Sequence, residues 1–180
     1  QNTDGGWSWG VGFDSDTNDT AAVLMALAEA GYTVSDSSVS KGVAYLAAQQ
    51  NNDAGWPYQL PCFWPNCEAS DSASTAWIIA ALNKLGLNAM TWTKGGVSPQ
   101  DFLLTLQTTD GSFKWQAGDA AGDPTMTAYA LVALTNKSYP VKRGNYLSGQ
   151  GNRPTPLADL EINFAESSIN INKGDLAGLT

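Results

Sequence analysis

DSDTNDTAAVLMAL, Asp14 to Leu27, sets Asp14, Asp16 and Asp19 around Asn18 immediately ahead of an apolar run. Carboxyl groups in that setting have three uses. A protonated one can donate to a substrate as a general acid. Ionised ones collect a hard cation: Asp14-x-Asp16-x-Asn18 copies the first three ligand positions of a calcium loop, although no Gly follows and Met25 stands where the closing Glu belongs. At a helix N-terminus they accept from free N–H groups and meet the positive end of the dipole. Capping is favoured, because Ser70–Ser74 and Asp123–Thr125 hold the same place ahead of two further apolar runs. Calcium through Asp14, Asp16 and Asn18 is the one metal reading kept, and no other cofactor is expected.

Other chemistry is narrowed by composition. The 180 residues contain no His, which removes the commonest general base and the commonest zinc ligand. Seventeen acidic against nine basic residues give a net charge of −8, which disfavours nucleic acid and anionic membrane surfaces as partners. No apolar run reaches the roughly 18 residues that would span a bilayer. A hydrophobic content of 43% with seven Trp requires a packed core, and only 14% of residues are charged. Cys62 and Cys67, in CFWPNC, are read as a short-loop disulfide, which places the chain outside the cell or at its surface. Trp9, Tyr58, Trp64, Trp77, Trp115 and Tyr129 fall in or beside the segments that enter the apolar runs. They are the candidates for a ligand-binding rim, against the alternative of packing between helix ends. Asn18-Asp19-Thr20 and Asn136-Lys137-Ser138 fit the N-glycosylation pattern.

These groups are positioned by a repeat. QNTDGGW (Gln1–Trp7), QNNDAGW (Gln50–Trp56) and QTTDGSF (Gln107–Phe113) share the form Q-x-x-D-[GA]-[GS]-[WF]. Each is followed by an irregular polar stretch and then by Thr-Ala at the head of an apolar helix: Thr20-Ala21, Thr75-Ala76 and Thr127-Ala128. Those helices are apolar around most of their circumference and are expected to be buried on several sides, with Gly31 and Gly86 as C-terminal caps. The segments ahead of the Gln motifs are amphipathic instead. One carries a stripe of Val39, Val43, Leu46, Ala47 and Gln50; the other carries Phe102, Leu103 and Leu106 behind Ser98-Pro99. Inner apolar and outer amphipathic helices therefore alternate, joined by a repeated turn. That pattern predicts an all-α curved array.

KGVAYLAAQQNNDAGW (Lys41–Trp56) resembles the QW repeat of the squalene and terpene cyclase–prenyltransferase superfamily, matching at Lys41, Gly42, Tyr45, Leu46, Gln50 and Trp56, with Ala54 for the first Gly. FLLTLQTTDGSF (Phe102–Phe113) matches again, with Phe113 for Trp. The resemblance implies an α/α toroid, of which residues 1–142 would supply about half the helical hairpins, with Gln1 opening inside a motif. DTNDTA (Asp16–Ala21) is similar to the Asp-x-Asp-Asp-Thr-Ala motif of class II terpene cyclases at five of six positions. In that family the middle Asp is the general acid; here it is Asn18, and an amide cannot start a cation cascade. The prenyltransferase zinc site needs a His, and the thioester segment of complement-like proteins, Gly-Cys-Gly-Glu-Gln, is missing. The nearest resemblance is to secreted prokaryotic surface proteins with prenyltransferase-type repeats, and cobalamin carriers of the intrinsic-factor type use a related toroid.

After residue 142 the pattern changes. Residues 143–158 read as a Gly- and Pro-containing linker, and 159–180 as a short β tail in which LEINF and ININ alternate in opposite phase. A lone strand pair must dock somewhere, so this tail is expected to join a neighbouring domain or another copy of the chain. The expected function is a non-catalytic extracellular structural, adhesive or assembly module. The alternatives are a small-ligand or carbohydrate-binding module with an aromatic-lined concave face and, behind it, a cyclase-like enzyme fragment.

Overall fold

A computed structural model describes residues 1–62 and 65–141. Among them are five α-helices, α1 (Thr17–Glu29), α2 (Ser37–Ala48), α3 (Ser72–Lys84), α4 (Pro99–Thr105) and α5 (Pro124–Leu134), and a 3-10 turn at Ala89–Thr91. The expected linker and β tail, and Trp64, lie outside the described residues. Helices α1, α3 and α5 pack side by side with α3 in the middle; α2 lies against α1, and α4 against α3. The array is helical and alternates inner with outer helices, as the repeat predicts.

The Gln motif folds as the same turn three times. Asn2, Asn51 and Thr108 accept from the N–H of Gly5, Ala54 and Gly111 at 3.0–3.1 Å and donate to Gly6, Gly55 and Ser112 carbonyls at 2.8–3.0 Å. Asp4, Asp53 and Asp110 each accept, through Oδ1, the N–H two residues on at 3.0 Å. The pivot is left-handed, with φ of 92° at Gly5, 69° at Ala54 and 86° at Gly111, which explains why Gly stands there in two of three copies. The Gln amide then ties this turn to the next outer segment. Gln1 Nε2 donates to Gly5 O at 2.9 Å and Ser38 O at 2.8 Å, and Gln50 Nε2 donates to Ala54 O at 3.0 Å and Trp92 O at 2.8 Å. Gln107 Nε2 reaches Gly111 O at 3.2 Å.

The aromatic residue ending each motif is tied to the inner helix that follows it. Trp7, Trp56 and Phe113 donate their N–H to Thr20, Thr75 and Thr127 Oγ1 at 2.9–3.0 Å. Their carbonyls accept from Asp16, Asp71 and Asp123 N–H at 2.8–3.0 Å. The Thr of each Thr-Ala pair therefore satisfies a backbone donor of the preceding turn, and the helices begin three residues earlier than those pairs, each behind an Asp cap. Thr75→Val leaves the buried Trp56 N–H unpaired and is expected to cost about 1–3 kcal/mol in urea unfolding. Thr127→Val, at a partly exposed joint that water reaches, is expected to cost less than half of that.

Outer helix α2 buries Val39, Gly42, Tyr45 and Leu46, while Ala47 is exposed. The stripe is thus rotated toward Tyr45, whose hydroxyl donates to Ser15 O at 2.8 Å and anchors α2 to the α1 entrance. Helix α4 buries Phe102 and Leu103 with Leu106 following, behind a Ser98–Asp101 capping box and Pro99 at its first position. Gly31 and Gly86 follow the C-termini of α1 and α3 at φ 92° and 72°. Asn136 takes that place after α5 at φ 55°.

The three inner helices are not equally covered. Leu24, Ile79 and Leu131 hold the same place four residues after the repeated Thr. Leu24 and Ile79 are fully buried, but Leu131 is only half-buried and Ala128, one turn earlier, is exposed. α5 buries only Ala130 and Ala133 completely, although it is as apolar as α3.

Candidate functional site

The N-termini of α1 and α3 open on one side of the array, where the next repeat's turn meets them. Thr17 N–H donates to Tyr58 O at 2.9 Å, and Thr17 Oγ1 donates to Pro57 O at 2.8 Å. Ser72 N–H donates likewise to Trp115 O at 2.9 Å. The first residue of each inner helix thereby clasps the repeat that follows, and Tyr58 and Trp115, each two residues after a motif aromatic, are brought to the helix entrances. Pro124 holds the same place in α5 and has no N–H to offer.

Between these entrances lies a cleft of about 150 Å³ lined by Asn18, Tyr58, Asp71, Ser74, Trp115 and Gln116 among others. The candidate rim residues are divided among separate places. Tyr58 and Trp115 share this cleft; Trp115 is 43% exposed. Trp77 lies on α3, edge-on to Tyr129 with ring centroids 5.7 Å apart and stacked on Tyr139 at 5.1 Å. It lines a second, wider hollow of about 380 Å³ with Ala22, Met25, Tyr139 and Pro140. Trp9 is 70% exposed and packs on Phe13 with centroids 4.4 Å apart.

The acidic stretch resolves into different roles. Asp16 is 1% exposed and caps α1 through Oδ1, which accepts Asp19 N–H at 2.7 Å. Asp14 is exposed, and Asn18 and Asp19 are half-buried in the first turn. Burial first, and then the neighbouring Asp19 carboxylate, push the Asp16 carboxyl up to about 7. Burial and the charges of Asp16 and Asp19 push the Tyr58 hydroxyl up to about 12. Asp71, equally enclosed, is raised to about 6 by burial, against hydrogen bonds that favour its charged form. Those come from Ser74 N–H and Ser74 Oγ–H, both at 2.7 Å. Asp123 caps α5 through Oδ1 from Thr125 and Met126 N–H at 2.7 and 3.0 Å, in the open.

Among the described residues, one set of three acidic or sulfur ligands lies within 4.8 Å of one another: Cys62, Cys67 and Glu68. The two sulfurs are joined in a disulfide, with Cα atoms 5.5 Å apart, that borders the cleft through Cys67. The carboxylates of Asp14, Asp16 and Asp19 do not form such a set. Of the two glycosylation candidates, Asn136 is exposed just after α5, and Asn18 is half-buried against the cleft. No helix among the described residues is long and apolar enough to cross a membrane. The pairing of Asp16 with Asp19 and the Ser74 bond to Asp71 were missed by sequence reasoning; the alignment of DTNDT with DSAST contained the signal.

The family model for the squalene-hopene cyclase C-terminal domain matches residues 1–143. No curated protein matches the chain. A solved structure with the same fold is the Candida albicans protein geranylgeranyltransferase-I complexed with GGPP, at 19% identity and a TM-score of 0.60, covering 75% of this chain and 39% of that one. The chain thus spans about two fifths of the length of that relative.

Proposed function

The chain belongs to the squalene-hopene cyclase C-terminal domain family, and on that premise we propose that it is a non-catalytic assembly module on a cyclase-type helical scaffold. The observation that carries this reading is the incomplete burial of α5. An inner helix with the apolar text of α3 presents Ala128 and Leu131 at the surface, where α3 keeps Ala76 and Ile79 enclosed. A neighbouring domain or another copy of the chain, seated there, would bury that face and supply the hydrophobic gain that α3 draws from α5. The tail beyond residue 158 joins the same neighbour in this reading, and the disulfide fits an extracellular setting.

Absence of catalysis rests on the α1 entrance. Asn18 stands where the family acid belongs, and the Asp16 carboxylate is bound into the cap that its sisters Asp71 and Asp123 also make. Incubation with squalene or a prenyl diphosphate is expected to return substrate unchanged. Light scattering of the full chain over a concentration series is expected to report self-association that Ala128→Lys abolishes without lowering Tm. A chain that stays monomeric throughout, and binds no neighbouring domain of its own protein, would rule the reading out.

The second reading, a small-ligand module, is favoured by one feature: Tyr58 and Trp115 face a shared cleft with the amides of Asn18 and Gln116. Quenching of tryptophan fluorescence by oligosaccharides, lost in Trp115→Ala, would support it.

A further inference from the structure

Resting on the assembly reading above, we propose that the exposed α5 face is covered by the α1 edge of a second copy of this chain, joined head to tail. In a repeat array each unit meets only its neighbours. The two end units therefore carry the two unmatched halves of one joint, and each half is recognisable by comparison with the middle unit.

The first and fifth residues after the repeated Thr are Ala21 and Met25 in α1, Ala76 and Ale80 in α3, and Ala128 and Val132 in α5. They are buried in α1 and α3, whereas Ala128 is exposed and Val132 half-buried. Cover is lost only in the last inner helix, so this row faces the unit that follows. The third and sixth residues behave in the opposite way. Ile78 and Ala81 in α3, and Ala130 and Ala133 in α5, are fully enclosed, whereas Val23 in α1 is half-buried and Ala26 exposed. This second row faces the unit that comes before. One chain thus leaves both rows of an inner-helix joint open, one at each end, and both are apolar.

The turns repeat the asymmetry. Trp9, Tyr58 and Trp115 each stand two residues after a motif aromatic. Tyr58 O accepts Thr17 N–H and Trp115 O accepts Ser72 N–H, both at 2.9 Å. Among the described residues no donor reaches Trp9 O. Trp56 and Phe113, each with an inner helix ahead of it, are enclosed, while Trp7 is half-buried. Beyond it Trp9 is 70% and Phe13 51% exposed. The α1 edge therefore offers an acceptor and an apolar surface shaped, as in the two internal joints, for the entrance of an inner helix.

α5 of another copy supplies that helix, with one difference. Pro124 stands where Thr17 and Ser72 provide their N–H, so the joint between copies lacks a hydrogen bond that both internal joints have. Association through it is accordingly weaker and reversible. Because every copy carries both halves, the contact is heterologous and either closes into a ring or extends.

The test is analytical ultracentrifugation of the full chain over a concentration series, for wild type, Trp9→Lys, Ala128→Lys and Pro124→Ser. Both Lys substitutions fall on exposed residues and are expected to leave Tm unchanged. Wild type is expected to associate, each Lys variant to stay monomeric, and an equal mixture of the two to form a complex of one copy of each. That mixture restores one intact joint, from α5 of Trp9→Lys and the α1 edge of Ala128→Lys. Pro124→Ser returns the missing N–H and is expected to tighten association about 5-fold. A Trp9→Lys chain that associates like wild type while Ala128→Lys does not would overturn the proposal and leave the assembly reading standing, since α5 would then meet another surface. Failure of the mixture to form a complex would do the same. Ala128→Lys that still associates would overturn both. Monomeric behaviour of wild type and Pro124→Ser alike would also overturn the proposal. So would a monomer whose tryptophan fluorescence shifts on phosphatidylcholine vesicles unless Trp9 is replaced, because the α1 edge would then belong to a lipid surface.

Discussion

Replacing Trp56 by Ala is expected to cost about 3–5 kcal/mol and to remove most of the stability of the array. Among the described residues Trp56 is the largest fully enclosed side chain, at 0% exposure. Its indole N–H donates to Leu46 O at 2.7 Å, which ties the C-terminal end of α2 to the turn, and its ring meets Trp92 with centroids 5.9 Å apart. Truncation therefore opens a cavity and leaves the Leu46 carbonyl with only the longer bond from Gln49 N–H, at 3.2 Å. The repeat allows an internal control. Trp7 holds the same motif position but is half-buried, so Trp7→Ala should cost distinctly less, and Phe113→Ala, at 1% exposure, should approach the Trp56 value. Equal costs at Trp7 and Trp56 in urea unfolding would show that burial is not what sets the value of this position.

Ile79→Ala is expected to cost about 2–5 kcal/mol, Leu24→Ala a similar amount, and Leu131→Ala about 1 kcal/mol or less. All three occupy one repeat position, and only the first two are enclosed. Helix α3 is packed by α1 on one side and α5 on the other, so Ile79 loses contacts in a confined space that cannot collapse. Leu131 has water on part of its surface, and its removal leaves no cavity of that kind. The comparison also bears on function. If Leu131→Ala proved as costly as Ile79→Ala in isolated, monomeric protein, the α5 face would be covered within the chain, and the assembly reading would lose its main support.

Much of the architecture was legible before any coordinates, for a specific reason. The Q-x-x-D-[GA]-[GS]-[WF] unit and the later Thr-Ala are two halves of one hydrogen-bonded joint, so both had to recur together. The left-handed pivot demanded Gly at Gly5 and Gly111, and capping demanded Asp16, Asp71 and Asp123. Fully apolar inner helices and striped outer ones follow from burial on several sides against burial on one. Less legible was the rotation of α2. The stripe drawn through Val39, Val43, Leu46, Ala47 and Gln50 omitted Tyr45, which is enclosed with its hydroxyl donating to Ser15 O.

The candidate site shows the division more sharply. Residue types in DTNDT were enough to place a cap at the head of α1 and to mark Asn18 as unsuited to acid catalysis. They could not separate Asp16 from Asp14 and Asp19, since all three are the same residue within six positions. Only packing did that, by enclosing Asp16 under the Pro57–Tyr58 loop of the next repeat and leaving Asp14 in water. In the same way, six aromatics near the helix entrances looked like one rim. Tertiary structure put Tyr58 with Trp115, Trp77 with Tyr129, and Trp9 apart with Phe13. Sequence by itself determined the repeating local bonds, because a turn and its cap lie within about twenty residues. Desolvation, and with it the upward push on the Asp16 carboxyl, was decided by contacts between repeats some forty residues apart, which no local pattern carries.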